Sequence, residues 1–420
     1  MATYQKVELP ALTGLRFIAA FCILFMHTTV WCSPFRDSNV FHEVASIIGI
    51  YGMPLFFVLS GFVIHYNYRI RFETLSYRKA LQDFFCARFA RLYPLYIFFV
   101  LVGSLSDFTI NWISDYHQQF FEYLFCAITA TQSWVYLIVV NNRIVLDNGF
   151  GLGWSVSTEF FFYIIYTMFV FLSIRIKSIA LNIIILTVFF TSVFIILIMS
   201  FIYVDQLMDI ARRHVSNFID ARDNFSESFF RWFFYYSPYV RIAEFGLGCL
   251  TAQFFLVLRQ RPVGRIERNC GAAALYFALY VLLLYGIGYA TSPAPLGGLI
   301  KFLSLNFGCA LPAAVIIFCV ARYDDLPLAS LLSTWPMTWL GGISYSIYAV
   351  HTWTLRPFIR PAVDFNLIFA TEAVLRIMVA IAFTVICASA TYRLIEVPCR
   401  RYLRRRFMGT PEPNRQLAPV

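Results

Sequence analysis

Leu12-Thr-Gly-Leu-Arg16-Phe-Ile-Ala-Ala-Phe-Cys-Ile-Leu-Phe-Met-His27-Thr-Thr-Val-Trp31 is long enough and apolar enough to cross a bilayer, yet it carries a guanidinium near its start and an imidazole about halfway along. On an α-helix eleven residues turn about 1100°, only ~20° past three full turns, with ~16 Å of rise. Arg16 and His27 therefore share one face, forming a polar track from one membrane surface towards the middle. Keeping both groups in hydrocarbon costs several kcal/mol, so such residues face a protein interior or a water-filled cavity. The rest of the chain is expected to build that cavity.

Composition agrees with a membrane setting. Hydrophobic residues make up 60% of the chain and charged residues 13%, and the mean hydropathy is +0.69. Soluble domains carry roughly 25% charge, so the expected class is all-α, a polytopic transmembrane helical bundle in a membrane-lipid environment. The net charge of +10 does not point to nucleic acid, because the basic residues cluster between apolar runs and near the C-terminus, as membrane topology requires. The ten cysteines show no C-x-x-C spacing and read as small buried hydrophobes; no ligand cluster calls for a metal. The first apolar run is interrupted by Arg16 and followed by Cys32-Ser-Pro-Phe35, so it is expected to be a retained helix, not a cleaved signal peptide.

Further spans are expected at about 47–66, 89–106, 153–174, 179–203, 239–258, 272–290, 299–321, 339–358 and 367–392, ten in all with the first. Segment 120–140 is apolar but holds Glu122, Thr129, Thr131, Gln132 and Ser133. Parity decides its reading. If it spanned, the basic groups at 175–177, 259–268 and 400–406 would all fall outside; if it is re-entrant or interfacial on the outer side, all three fall inside. Both termini are then cytoplasmic. Residues 1–406 form one transmembrane domain, and 407–420 form a Pro-rich, disordered tail.

Several polar groups fall within or beside these spans. Arg88 and Arg91, at i and i+3, present two guanidiniums on one face at the cytoplasmic mouth of the third helix; the planar fork of arginine suits phosphate, although topology alone also puts arginines there. Ser155 and Glu159 lie one turn apart on the fourth helix, where a carboxylate needs a partner, a cavity or the helix dipole. Arg241 and Glu244 can pair with each other. His351 is a second intramembrane histidine, structural or acceptor-side. Sorted by depth, Arg16, Arg88 and Arg91 lie on the cytoplasmic side, Glu159, Arg241, Glu244 and His351 towards the outside, and His27 between them.

The set of motifs resembles membrane acyltransferase family 3, the bacterial integral-membrane O-acetyltransferases of surface glycans. The R-x10-H pair falls on Arg16 and His27, and R-x-x-R with its following proline on Arg88, Arg91 and Pro94. Phe56-Phe-Val-Leu-Ser60-Gly61-Phe62, Trp154-Ser-Val-Ser-Thr-Glu159, Arg241-Ile-Ala-Glu244, Gly342-Ile-Ser-Tyr-Ser-Ile-Tyr-Ala-Val-His351 and Tyr392-Arg-Leu-Ile-Glu396-Val-Pro398 resemble further family elements in order. The fourth-helix element departs from the family's frequent S-V-E-x-Q, since no amide follows Glu159. The resemblance implies acetyl-CoA or another short acyl-CoA as co-substrate, with no permanently bound cofactor. Arg16, Arg88 and Arg91 would bind the donor. His27 would be general base or acyl acceptor, with Glu159 orienting it or binding sugar hydroxyls. The acceptor would be a glycan or another hydroxylated molecule, reached directly or through a separate periplasmic acyl-transfer partner. The competing expectations are a transporter or flippase of an anionic glycolipid and a haem carrier using both histidines.

Overall fold

The structure is a computed structural model that describes residues 8–32, 40–113, 117–136, 153–216, 218–219, 228–359 and 367–408. Every regular element among them is a helix. The order begins with α1 (Pro10–Cys32), α2 (Val40–Thr74), α3 (Tyr77–Ile113), α4 (His117–Ile128), α5 (Gly153–Ile174), α6 (Ile179–Ile202) and α7 (Val204–His214). A single turn α8 (Phe229–Arg231) runs through a π-helical turn, Trp232–Tyr236, into α9 (Pro238–Leu258). Then follow α10 (Arg265–Thr291), α11 (Leu296–Ser304), α12 (Ala310–Arg322), α13 (Pro327–Leu332), α14 (Trp335–Gly342), α15 (Ser344–Leu355) and α16 (Leu367–Thr391). A second π turn, Tyr392–Glu396, leads into α17 (Val397–Met408). The helix thus enters the expected tail by two residues, and 409–420 lie outside the described residues.

Among the described residues eight helical stretches are long and apolar enough to cross a membrane, and they coincide with eight of the ten expected spans. The other two, 299–321 and 339–358, are each broken into a pair: α11 with α12, and α14 with α15. The second break falls after Gly341-Gly342, where two residues without side chains weaken the helix. Ser344 Oγ donates to the Gly341 carbonyl there at 2.8 Å. At the first break, Asn306 Nδ2 donates 2.8 Å to the Phe234 carbonyl, tying the turn to the π turn before α9. Unpaired backbone is tolerated at membrane depth only where protein or a cavity surrounds it.

Segment 120–140 is described to Tyr136. Its helix α4 has 12 residues, about 18 Å, against a hydrocarbon core of about 30 Å. Tyr93 and Tyr96 of α3 donate to the carbonyls of Ile128 and Ala127 at 2.8 and 2.5 Å. The chain then turns at Ala130, whose φ is 53°, and Ser133 meets Ser157 of α5 at 2.9 Å. The segment thus packs beside α3 and, after the turn, against the start of α5.

The basic loops gather at one end of the bundle. Arg71 pairs with Asp83 at 3.2 Å, Arg259 reaches Tyr66 at 3.1 Å, Arg322 reaches Glu267 at 3.0 Å and the Arg261 carbonyl at 2.9 Å, and Gln253 reaches the Ile176 carbonyl at 2.6 Å. Segments far apart in the chain thus share one polar rim.

Helix α2 is the centre of the packing, held between α1 and α9. The contact with α9 is close because Gly61 faces the Phe245 carbonyl and Gly248 faces the Val58 carbonyl, with no room for a Cβ at either. Small residues let membrane helices approach in this way when lipid offers no hydrophobic drive between them. Gly248→Ala is expected to cost about 1–3 kcal/mol through overpacking and to lower the thermal midpoint of the detergent-solubilised protein; an unchanged midpoint would show that α2 and α9 do not touch there.

Candidate active site

One pocket is built from five helices. Arg16 comes from α1, Ser60 from α2, Arg88 and Arg91 from α3, Glu159 from α5, and Ser344 with Tyr345 from the start of α15. It encloses about 450 Å³, its open mouth included. The break after α14 is what brings Ser344 and Tyr345 to its wall, and Tyr345 donates to the Leu92 carbonyl at 2.7 Å. Arg16 and Arg88 are only 8% and 6% exposed, and the Arg88 guanidinium lies 4.6 Å over the Tyr68 ring. The three arginines and Glu159 all act electrostatically on one another.

Glu159 is the one carboxylate in this pocket wall, so three positive charges against one negative leave a net of +2 (3 − 1). Its Oε1 accepts from both Ser60 Oγ and Tyr163 OH, each at 2.8 Å. Glu396, which also acts on Arg91, accepts from Ser346 at 2.8 Å and is balanced by Arg400 at 3.8 Å. Like charges brought together out of water are costly unless an anion joins them. The pocket is therefore suited to phosphate oxygens, which arginine binds with two parallel hydrogen bonds.

The imidazole lies elsewhere. His27 Nδ1 and His351 Nε2 are 2.9 Å apart, with the two rings edge to edge and within 13° of parallel, and the His27 ring stacks on Trp31 at 4.9 Å. His351 is fully enclosed, whereas His27 is partly exposed. His351 Nδ1 meets the Tyr348 carbonyl at 2.7 Å, and Ser155 Oγ donates to Tyr348 OH at 2.8 Å. Phe56 stands between the two centres, since it lines the pocket and stacks towards Tyr348 at 6.4 Å.

This arrangement corrects the ordering by depth. Glu159 belongs with Arg16, Arg88 and Arg91, not on the far side, and the partner of His27 is His351. Ser155, one turn before Glu159, turns to the histidine side through Tyr348. Arg241 and Glu244 form a fully buried ion pair at 2.9 Å. Arg241 Nε also donates to the Tyr235 carbonyl at 2.8 Å, and its guanidinium lies 4.7 Å from the Tyr235 ring. They brace the π turn against α9 and do not line the pocket. Sequence reasoning had not singled out Tyr163, Tyr345 or Tyr348. The signal for Tyr163 was its position one turn after Glu159, on the same face. Among the described residues no group of His, Cys, Asp and Glu could hold a metal ion.

A family profile described as "Acyltransferase domain" matches residues 9–393. The chain belongs to this acyltransferase family. Among curated relatives, acyltransferase MdmB of Streptomyces mycarofaciens is 25% identical over 99% of this chain and 98% of its own length. O-acetyltransferase OatA of Staphylococcus aureus (strain NCTC 8325 / PS 47) is 24% identical over 99% of this chain, which spans 61% of that relative. Peptidoglycan O-acetyltransferase OatA of Listeria monocytogenes is 24% identical over 95% of this chain and 57% of its own length. No solved structure matches at a significant level. The protein is thus an acyl-transferring, multi-pass membrane enzyme, and the polar centres of an acyltransferase are where its chemistry is to be sought.

Removing one partner of a buried ion pair leaves the other uncompensated, at a cost of about 3–5 kcal/mol. Arg241→Ala in this acyltransferase is expected to lower the thermal midpoint sharply, with any loss of activity tracking the loss of folded protein. A variant that kept its midpoint but lost turnover would instead move Arg241 into the chemistry.

Proposed function

We propose that this acyltransferase moves a short acyl group, acetyl first among them, from acyl-CoA to a hydroxyl of a glycan or another hydroxylated acceptor. The observation that carries this reading is the pocket of three guanidiniums against one carboxylate, a site for the phosphates of the donor. Phosphates at one end and a thioester at the tip of a long flexible arm match two centres set eleven residues, ~16 Å of helix rise, apart on α1. The donor end is assigned to the cytoplasmic side of a bacterial inner membrane, because the basic loops meet there and positive residues mark the cytoplasmic face. Both described chain ends, near Arg16 and beyond Arg400, then lie at that face.

Arg16, Arg88 and Arg91 hold the donor phosphates, with Glu159 keeping Ser60 and Tyr163 in place and limiting repulsion among the guanidiniums. His27, partly exposed beyond Phe56, receives the proton of the acceptor hydroxyl as general base, an effect of typically 10²–10⁴ in rate. The names of the OatA relatives, O-acetyltransferase and peptidoglycan O-acetyltransferase, support oxygen as the accepting atom and a glycan as the acceptor class.

Protein reconstituted in lipid nanodiscs is expected to release CoA from acetyl-CoA and to form acetyl esters on a hydroxylated acceptor; wild-type protein that does neither with any glycan acceptor would sink the reading. His27→Ala should lower turnover by about 10²–10⁴ while the protein stays folded. Arg91→Ala, deleting a charge-assisted hydrogen bond of about 1.5–3 kcal/mol, should raise KM for acetyl-CoA by roughly 10- to 100-fold with a smaller change in kcat. An unchanged KM would remove Arg91 from the donor site.

A further inference from the structure

The two histidines are joined in a fixed order of donors and acceptors. A backbone carbonyl can only accept, so the 2.7 Å contact between Tyr348 O and His351 Nδ1 requires the hydrogen on Nδ1. A neutral imidazole has one N–H, so His351 Nε2 carries a lone pair and can only accept. The hydrogen in the 2.9 Å contact with His27 then belongs to His27 Nδ1, and His27 Nε2 keeps its lone pair. Among the described residues no other group hydrogen-bonds His27. Stacking on Trp31, at 18°, and the nearly coplanar contact with His351, at 13° between the ring planes, as an in-plane N–H···N bond requires, hold the ring in one plane.

We propose that His351 is the positioning residue of the transfer: it fixes the tautomer and orientation of His27 so that Nε2 is the atom that takes the acceptor proton. This rests on His27 acting as the base. In the forward step the hydroxyl proton passes to Nε2 while the acceptor oxygen bonds to the thioester carbonyl carbon. The tetrahedral adduct collapses with cleavage of the C–S bond, and the leaving thiolate takes the proton back from Nε2. The imidazole ends neutral, and alcohol plus thioester have become ester plus thiol. Throughout, the Nδ1–H stays bonded to His351, whose lone pair stabilises the transient imidazolium. A carboxylate would do this more strongly, but it would place a permanent charge inside the membrane, and a neutral partner does not.

The test compares His351→Phe, which keeps an aromatic ring in that space but no acceptor, with His351→Gln, whose side-chain oxygen can accept near the position of Nε2. The Phe variant is expected to lose about 10- to 1,000-fold in kcat, with KM for acetyl-CoA within about twofold of wild type. The Gln variant should recover at least about a tenth of wild-type kcat. Should the Phe variant fail to fold, His351→Asn replaces it, being too short to present an acceptor at that position. Wild-type kcat in the Phe or Asn variant, or equal loss in the Gln and Phe (or Asn) variants with all of them folded, overturns the proposal. Absence of acetyl-CoA turnover in wild-type protein would instead overturn the function itself, so the two failures are distinguishable.

Discussion

Charge inside a low-dielectric wall is the constraint on which this structure depends. Arg16 and Arg88 are almost completely enclosed, and hydrocarbon offers them nothing. Each must be surrounded by dipoles, a counter-charge or space for an anion. Glu159 supplies one counter-charge, held by Ser60 and Tyr163, and Tyr68 offers its ring to Arg88. The remaining imbalance of charge is what suits the pocket to an anion.

Much of the fold serves to bring those groups together. The glycines facing backbone between α2 and α9 let α2 sit deep in the bundle, and Ser60 is the neighbour of one of them. The break between α14 and α15 starts a new helix at the pocket wall. The first residues of α15 line the pocket, and one and two turns further on the same short helix carries Tyr348 and His351. A helix interruption that would be costly in lipid is tolerated because protein and cavity surround it. The π turn before α9 is treated similarly, its Tyr235 carbonyl taken by Arg241 and its Phe234 carbonyl by Asn306.

Two polar centres on one helix, linked through Phe56 and Tyr348, differ in what their side chains can do. The guanidinium end is suited to recognition, since arginines cannot lose their protons and present fixed forks of donors. The histidine end is suited to proton transfer, since imidazole alone among side chains titrates unperturbed near neutrality.

What the sequence determined by itself was the part governed by local rules. Apolar runs of bilayer length announced the helices, the eleven-residue spacing put Arg16 and His27 on one face, and the i, i+3 spacing did the same for Arg88 and Arg91, because helical periodicity depends only on neighbours in the chain. The Gly341-Gly342 pair was a visible breaker whose effect an apolar-window reading passes over. Only the tertiary structure decided which distant groups meet. His27 and His351 are 324 residues apart, and Ser60 and Glu159 are 99 apart; no periodicity relates them, and their pairing follows from how α1, α2, α5 and α15 pack. Glu159 was placed on the wrong side for the same reason: a position along one helix says how deep a carboxylate begins, but its partners are set by side chains arriving from other helices.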